Sequence, residues 1–333
     1  MMTTRMASLK VPEVVPPPAQ DCERLRKAFH GLGTDEEAVI RVLGHRNESQ
    51  RKKIRETYQQ LYNKSLIHDL HSELSGHFLN AISLWTYDPS ERDARLINDA
   101  LKKKGSIFAA KKGVKDWQVI VEIACAFPPQ HLLAVRQAYC SLFDCSIEED
   151  ISSHISLPLR KLLVSLVSSY RHDKEVVDTI VAKMEAFQLR EAIEAKQLDH
   201  DYVMWILGTR NFFQLRATFD SYKQHFSSSF DEDILKCGNG DFNTLLNVAI
   251  LCMNCPEKHF AQVIRKSILG LGTDEDSLSR AIVTRAEVDM AKVKIEYVQL
   301  YKTSVEDDVK GDTSGDYESF LLTLLGTKQV WVG

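Results

Sequence analysis

At 333 residues with 44% hydrophobic and 26% charged side chains, the chain has the apolar content for a real core, and its net charge of −4 excludes the global basicity of a nucleic-acid binder. Seven cysteines, an odd number without paired spacing, exclude a disulfide framework, and no run approaches the roughly 18 apolar residues that a membrane span requires. With no apolar signal segment at the N-terminus, a cytosolic, soluble chain is expected.

Residues 1–20 hold Pro12 and the run Pro16-Pro17-Pro18, and read as an extended tail. From Asp21 a helical period takes over: Leu25, Ala28 and Phe29 line one face, Val39, Ile40, Val42 and Leu43 another, and Ile54, Tyr58 and Leu61 a third. No segment alternates as a strand would. Between the first two helical stretches lies Gly31-Leu32-Gly33-Thr34-Asp35-Glu36-Glu37, which returns almost unchanged as Gly270-Leu271-Gly272-Thr273-Asp274-Glu275-Asp276. Two glycines flanking one apolar residue permit a sharp turn with converging carbonyls. Thr34 is expected to cap the next helix in a box with Glu37, and Thr273 with Asp276 to form a weaker version.

Tyrosines give the register of an internal repeat. Tyr58 lies 25 residues beyond Gly33 and Tyr297 lies 25 beyond Gly272, with Tyr139 and Tyr222 placed between them as two further copies require. Four repeats result, at 21–87, 88–171, 172–254 and 255–327, with a short tail at 328–333. Fifteen residues beyond each tyrosine stand Glu73, His154, Cys237 and Asp312. Only the repeats that own a Gly-x-Gly-Thr turn own a carboxylate there. In the middle repeats Val114 and Gln197 take the place of Gly33. A hard cation such as calcium wants about six to eight oxygens from carbonyls, a bidentate carboxylate and water. The candidate ligands are the carbonyls of Phe29, Gly31 and Gly33 with the Glu73 carboxylate, and those of Ile268, Gly270 and Gly272 with the Asp312 carboxylate. One carboxylate leaves the ion with net positive charge and open positions, so a lipid phosphate would complete each shell. Leu32 and Leu271, at the turn tips, are candidate membrane contacts.

The second repeat carries a lysine-rich segment from Lys102 to Lys115, which reads either as a solvated loop or as a patch for anionic lipid. Phe127 stands where the other repeats have Arg46, Arg210 and Arg285, so an ion pair made by those arginines would be missing there. In the third repeat Asp231-Glu232-Asp233 reads as a solvated helix start.

Four repeats, the Gly-Leu-Gly-Thr-Asp-Glu turns and the segment Lys310-Gly311-Asp312-Thr313-Ser314-Gly315-Asp316-Tyr317 together resemble the annexin family, and Leu84-Trp85-Thr86-Tyr87-Asp88-Pro89 resembles its plant branch. The resemblance implies an all-α fold, four repeats of about five helices each in a slightly curved disc, with calcium as the cofactor. It implies calcium-dependent binding to acidic, phosphatidylserine-like phospholipid membranes and no enzymatic activity, in a cytoplasmic protein that becomes peripheral to membranes when calcium rises. F-actin is a further partner that it admits; nucleic acid is not expected. Alternatives are a peroxidase attached to His45, a GTPase suggested by Asp312-x-x-Gly315, and a calcium-gated ion conductance through Asp93, Arg280 and Asp289. Cys125 and Cys252 match a redox pair discussed for plant relatives, against a reading as buried inert thiols.

Overall fold

The computed structural model describes residues 6–31, 33–102, 113–270 and 272–328. Twenty helices, and no strand, occur among the described residues. Two compact units divide the chain: residues 1–89 with 257–333 form unit 1, and residues 90–256 form unit 2. Unit 1 therefore unites the first and last repeats, which own the glycine turns.

The first repeat contributes α1 (Pro18–Ala28), α2 (Glu36–Leu43), α3 (Glu48–Tyr62), α4 (Leu66–Glu73) and α5 (Gly76–Thr86). Unit 2 comprises α6 (Pro89–Lys102), α7 (Val114–Cys125), α8 (Pro129–Phe143), α9 (Ile147–His154) and α10 (Leu159–Val167), then α11 (Thr179–Ala195), α12 (Asp201–Thr209), α13 (Phe212–Phe226), α14 (Phe230–Lys236) and α15 (Asp241–Asn254). The fourth repeat adds α16 (Pro256–Ile268), α17 (Glu275–Arg285), α18 (Met290–Tyr301), α19 (Val305–Asp312) and α20 (Gly315–Leu324) to unit 1.

One local device recurs in every repeat and explains the tyrosine register. The third helix ends on a residue in the left-handed region, Asn63, Asp144, Ser227 or Lys302, with φ between 51° and 60°. A serine (Ser65, Ser146, Ser229, Ser304) then stands at the N-cap of the fourth helix. The chain is reversed so that the tyrosine on the third helix donates its hydroxyl proton to a carboxylate on the fourth, 11 residues on. These bonds are Tyr58–Asp69 (2.7 Å), Tyr139–Asp150 (2.5 Å), Tyr222–Asp233 (2.9 Å) and Tyr297–Asp308 (2.6 Å). A cation from the repeat's first helix closes each network: Arg26, Lys102, Arg190 or Arg265. All four tyrosines are fully buried, and burial together with the neighbouring carboxylate pushes each phenol pKa up. Asp233 is therefore not part of a solvated helix start. It is buried, and it accepts from Tyr222, Ser228 and Lys236.

The core otherwise obeys the period read from the sequence. Leu25, Ala28, Phe29, Val39, Ile40, Val42, Leu43, Ile54 and Tyr58 are buried, whereas Leu61 is 53% exposed. Within unit 1, α5 packs on α17 and α2 on α20. Arg51, stacked on the Trp85 ring, reaches Glu287 at 2.8 Å. The N-terminal segment is docked rather than loose: the Ala291 and Ser8 N–H groups bond the Met6 and Ala286 carbonyls at 2.9 Å, and His45 Nδ1 donates to the Lys10 carbonyl at 2.9 Å.

The arginine positions behave as pairing sites, as the Phe127 exception suggested. Arg46 holds Asp21 through two bonds of 2.7 and 2.8 Å, Arg210 meets Glu185, and Arg285 meets Asp289. In the second repeat the Phe127 ring packs on His131, whose Nε2 lies 2.6 Å from buried Asp93, and Arg92 holds the same carboxylate. Cys125 and Cys252 are both buried, and burial pushes the Cys125 thiol up to about 12, which suits an inert thiol.

Candidate calcium-binding turns

Each Gly-x-Gly-Thr stretch joins the first helix of its repeat to the second. Phe29 is the C-cap of α1 and Ile268 the last residue of α16. The Asp35 N–H closes the first loop on the Ala28 carbonyl at 3.0 Å, and the Asp274 N–H closes the second on Ser267 at 2.8 Å. At their glycines the two copies take matching backbone angles: φ is 141° and 97° at Gly31 and Gly33, and 151° and 96° at Gly270 and Gly272. Side chains rarely adopt such angles, which accounts for both glycines in both copies. A Cβ on Gly31 would stand 3.9 Å from the Gly33 carbonyl oxygen, and one on Gly270 would stand 3.8 Å from that of Gly272. Those distances are ordinary contact, so it is the positive φ rather than crowding that asks for glycine, and a turn of backbone carbonyls beside one carboxylate is a donor set that fits a hard cation.

The acids arrive from another helix. Glu73 is the last residue of α4 and exposed; Asp312 is the last residue of α19 and half-buried. The threonine fastens them to the turns. Thr34 Oγ1 donates to the Glu73 carbonyl at 3.0 Å and Thr273 Oγ1 to the Asp312 carbonyl at 3.1 Å, each across 39 residues, and Thr273 also reaches the Asp312 carboxylate. The helix caps expected of these threonines are made instead by the next residue. Asp35 accepts from the Ala38 N–H and Asp274 from the Ser277 N–H, because one residue further on, the side chain faces the free N–H groups of the first turn.

A second recurrence escaped the sequence reading. Three residues beyond each acid, Gly76 and Gly315 take φ of 64° and 66° and open the fifth helix. The pairs Ser75-Gly76 and Ser314-Gly315 were the available signal. In repeat 2 this position holds Leu157, and Gly240 of repeat 3 has a negative φ of −67°. The fifth helices also connect the two candidate sites, since His77 lies 3.4 Å from Glu275, the first residue of α17, and packs on Tyr317.

The middle repeats hold no such arrangement among the described residues. His154 ends α9 with its ring on the Asp150 carbonyl, and the Cys237 thiol donates to the Ile193 carbonyl. Lys102, at the start of the lysine-rich segment, pairs with the Asp150 carboxylate at 2.7 Å. Burial opposes the charged form of Asp150, but bonds from Lys102, Tyr139 and Cys145 outweigh it and hold that carboxyl below its usual range. Leu32, Leu271, Lys103, Lys104, Lys111 and Lys112 lie outside the described residues. Nowhere among those described do three His, Cys, Asp or Glu side chains gather as a metal cluster. No helix among them is long and apolar enough to cross a membrane.

The annexin family model matches residues 20–85, 92–166, 184–248 and 259–324. Over 324 residues the chain is 56% identical to Annexin D3 of Arabidopsis thaliana, covering 97% of this chain and 100% of that one. It is 45% identical over 307 residues to the Annexin-like protein RJ4 of Fragaria ananassa, covering 92% and 95%. Among solved structures it superposes on annexin III with a TM-score of 0.87 at 30% identity, covering 98% and 99%, and on a calcium-bound annexin (Sm)1 with 0.81 at 25%, covering 96% and 93%. Calcium-dependent binding to acidic phospholipid is the general property that goes with this family and fold. The all-helical architecture and the four matched repeats together place the chain in the annexin family.

Proposed function

We propose that this chain attaches to acidic phospholipid through calcium held at the turns of repeats 1 and 4. The ligands are the carbonyls of Phe29, Gly31 and Gly33 with Glu73, and those of Ile268, Gly270 and Gly272 with Asp312. The observation that carries the reading is the threonine bond from each turn to the chain segment of its acid, repeated at the same spacing in both copies. Bound calcium would supply positive charge that a lipid phosphate neutralises. The chain's own part is to hold oxygens on a pre-bent backbone and to bring a single carboxylate to each turn. Leu32 and Leu271, each between its two glycines, are proposed to enter the acyl boundary, where burying a leucine contributes about 1.5 to 3 kcal/mol.

A binding role is favoured over a peroxidase because His45 is buried with Nδ1 committed to the Lys10 carbonyl, and burial lowers its pKa. Sedimentation with phosphatidylserine vesicles across a calcium series tests the proposal. Glu73→Gln and Asp312→Asn should each raise the calcium midpoint, and the double variant should stay in the supernatant. Pelleting of the double variant at the wild-type midpoint would overturn both assignments. In the same assay Leu32→Asp with Leu271→Asp should weaken pelleting while leaving the melting temperature unchanged; an unchanged midpoint would remove the leucines from the contact.

A further inference from the structure

The solvent face of α11, in unit 2, differs from that of the first helix in every other repeat. The exposed side chains longer than alanine are Gln20, Glu23 and Lys27 on α1, Asp99 and Lys102 on α6, and Lys266 on α16. On α11 the exposed surface is apolar along its axis: Ile180, Met184 and Phe187 are 72%, 61% and 44% exposed. Their spacing of four and then three residues sets them in one stripe, which Val176 and Val177, exposed just before the helix, extend. The opposite face, with Ala182, Ala186, Leu189 and Ala192, is the buried one, and α11 packs on α13. The stripe is therefore more apolar surface than the fold of unit 2 uses. Phe187 is held in place by the rings of His225 and Phe226, each 5.3 Å away. Together the five residues leave on the order of 500 Å² of apolar surface in water, at the upper end of what a monomer exposes in one patch. Two exposed charges border the stripe: Lys183 beside Met184, and Glu191 one turn beyond Phe187. Neither makes an ion pair among the described residues.

We propose that this face of α11 pairs with the same face of a second copy of the chain, with no calcium required. A two-fold contact has to be self-complementary, each group meeting its complement on the other copy. Laid antiparallel about a centre between Met184 and Phe187, two α11 helices set the Met184 thioether of each copy on the Phe187 ring of the other, a favourable sulfur–aromatic contact. The same reversal carries Lys183 of each copy to the level of Gln188 on the other, within one turn of Glu191. The two charges left without an ion pair inside the chain thus find their complements across the contact. A standard stable interface buries about 800 Å² on each partner, so an apolar centre of this size with a charged border gives a weak dimer that forms as concentration rises.

The test is sedimentation equilibrium of the full chain in excess chelator and without vesicles, which keeps it separate from the calcium turns. A reductant is present, so that exposed Cys140 cannot cross-link copies. Wild type should pass from monomer to dimer along a concentration series. Met184→Glu and Ile180→Glu place a good helix former at exposed positions, so each should keep the wild-type melting temperature while raising the dissociation constant by about tenfold or more. Lys183→Glu alone and Glu191→Lys alone should each weaken the dimer by setting like charges against each other, and the double reversal Lys183→Glu/Glu191→Lys should restore it. That rescue requires the two residues to face each other across copies; a merely adhesive apolar patch would not give it. Lys27→Glu, on the polar face of α1, should associate as wild type. A wild-type chain that stays monomeric at every concentration would overturn the proposal, and if it instead pelleted with phosphatidylcholine vesicles in a Met184-dependent way, the face would belong to lipid. Undiminished association in Met184→Glu and Ile180→Glu, or a double reversal no better than its single variants, would overturn it as well.

Discussion

Units 1 and 2 are built on the same reversal, tyrosine to carboxylate across 11 residues, made twice in each. They differ in the segment that leaves the first helix of a repeat. In unit 1, α1 and α16 give way to glycines at positive φ, and a threonine ties the loop to an acid. In the third repeat the corresponding helix, α11, runs 17 residues, ends on Lys196 in the left-handed region and buries Leu198 where a glycine turn would open. Scaffold and glycine turn are therefore separable. The reversal rests on buried side chains and persists in every repeat, whereas in the third repeat a different connection, of residues 196–200 between α11 and α12, stands in place of the glycine turn.

The separation can be broken first at the buried arginines. In unit 1 Arg46 and Asp21 are 4% and 1% exposed, so Arg46→Met leaves a buried carboxylate without its partner and should cost about 3 to 5 kcal/mol. In unit 2 the Arg210 side chain is 30% exposed and Glu185 keeps the Thr218 hydroxyl, so Arg210→Met should cost only about 1.5 kcal/mol. Urea denaturation of both variants checks this, and equal costs would show that the two pairs are energetically alike despite their burial.

Acid should loosen unit 1 before unit 2. Burial pushes the His259 pKa down to about 3, with the charges of Lys266 and Arg285 adding to the effect, and His45 is lowered by burial as well. The unfolded chain binds these protons near pH 6.5 and the folded one does not, so stability is full above about 6.5 and falls as pH drops toward the folded value. At pH 5 the His259 contribution amounts to a loss of about 2 kcal/mol. In unit 2, burial disfavours the Asp93 charge, but Arg92 and His131 outweigh it and hold the carboxyl below its usual range. Its contribution is present above about pH 3.9 and is lost only as pH falls through the lower folded value. Amide exchange, corrected for intrinsic rate, should show α16 and α17 losing protection between pH 7 and 5 while α7 and α15 keep it. Replacing His259 with leucine should flatten that difference, and a uniform loss across both units would break the comparison.

The contrast between the units was largely legible in the sequence, because both of its parts are local. Glycine turns announce themselves through a residue type that few conformations require, and the tyrosine spacing survives in all four repeats because each tyrosine must reach a carboxylate at fixed distance. Apart from the arginine pairs, pairing across helices stayed hidden. Thr34 looked like a cap because capping is decided within four residues, whereas its hydrogen bond is made to a residue 39 away. Lys102 and Asp233 looked solvated because charge runs on helices usually are, and only the folded repeat shows that Asp233 accepts from buried Tyr222 and that Lys102 pairs with Asp150, the acceptor of buried Tyr139. The docked tail was equally invisible, since it is held through its own backbone groups at Met6, Ser8 and Lys10, which any sequence would offer.

The smallest effect sharpens the comparison most, because it applies one substitution to both units. Thr34→Val and Thr273→Val preserve shape and remove a single hydroxyl, so each should lower stability by about 1 kcal/mol. In unit 2, Thr218 is also a hydrogen-bonded threonine, donating to Glu185 at 3.0 Å and fully buried, and Thr218→Val should cost at least as much. The readouts should then diverge. Loss of the Thr34 or Thr273 bond frees the end of α4 or α19 from its turn, so the calcium midpoint for vesicle binding should rise severalfold. Thr273→Val should raise it more, because Thr273 also holds the Asp312 carboxylate. Thr218→Val should leave the midpoint where it was. If all three threonines lowered melting temperature alike and none moved the midpoint, the bond from turn to acid would belong to the scaffold, and the distinction drawn between the two units would fail at the contact on which it chiefly rests.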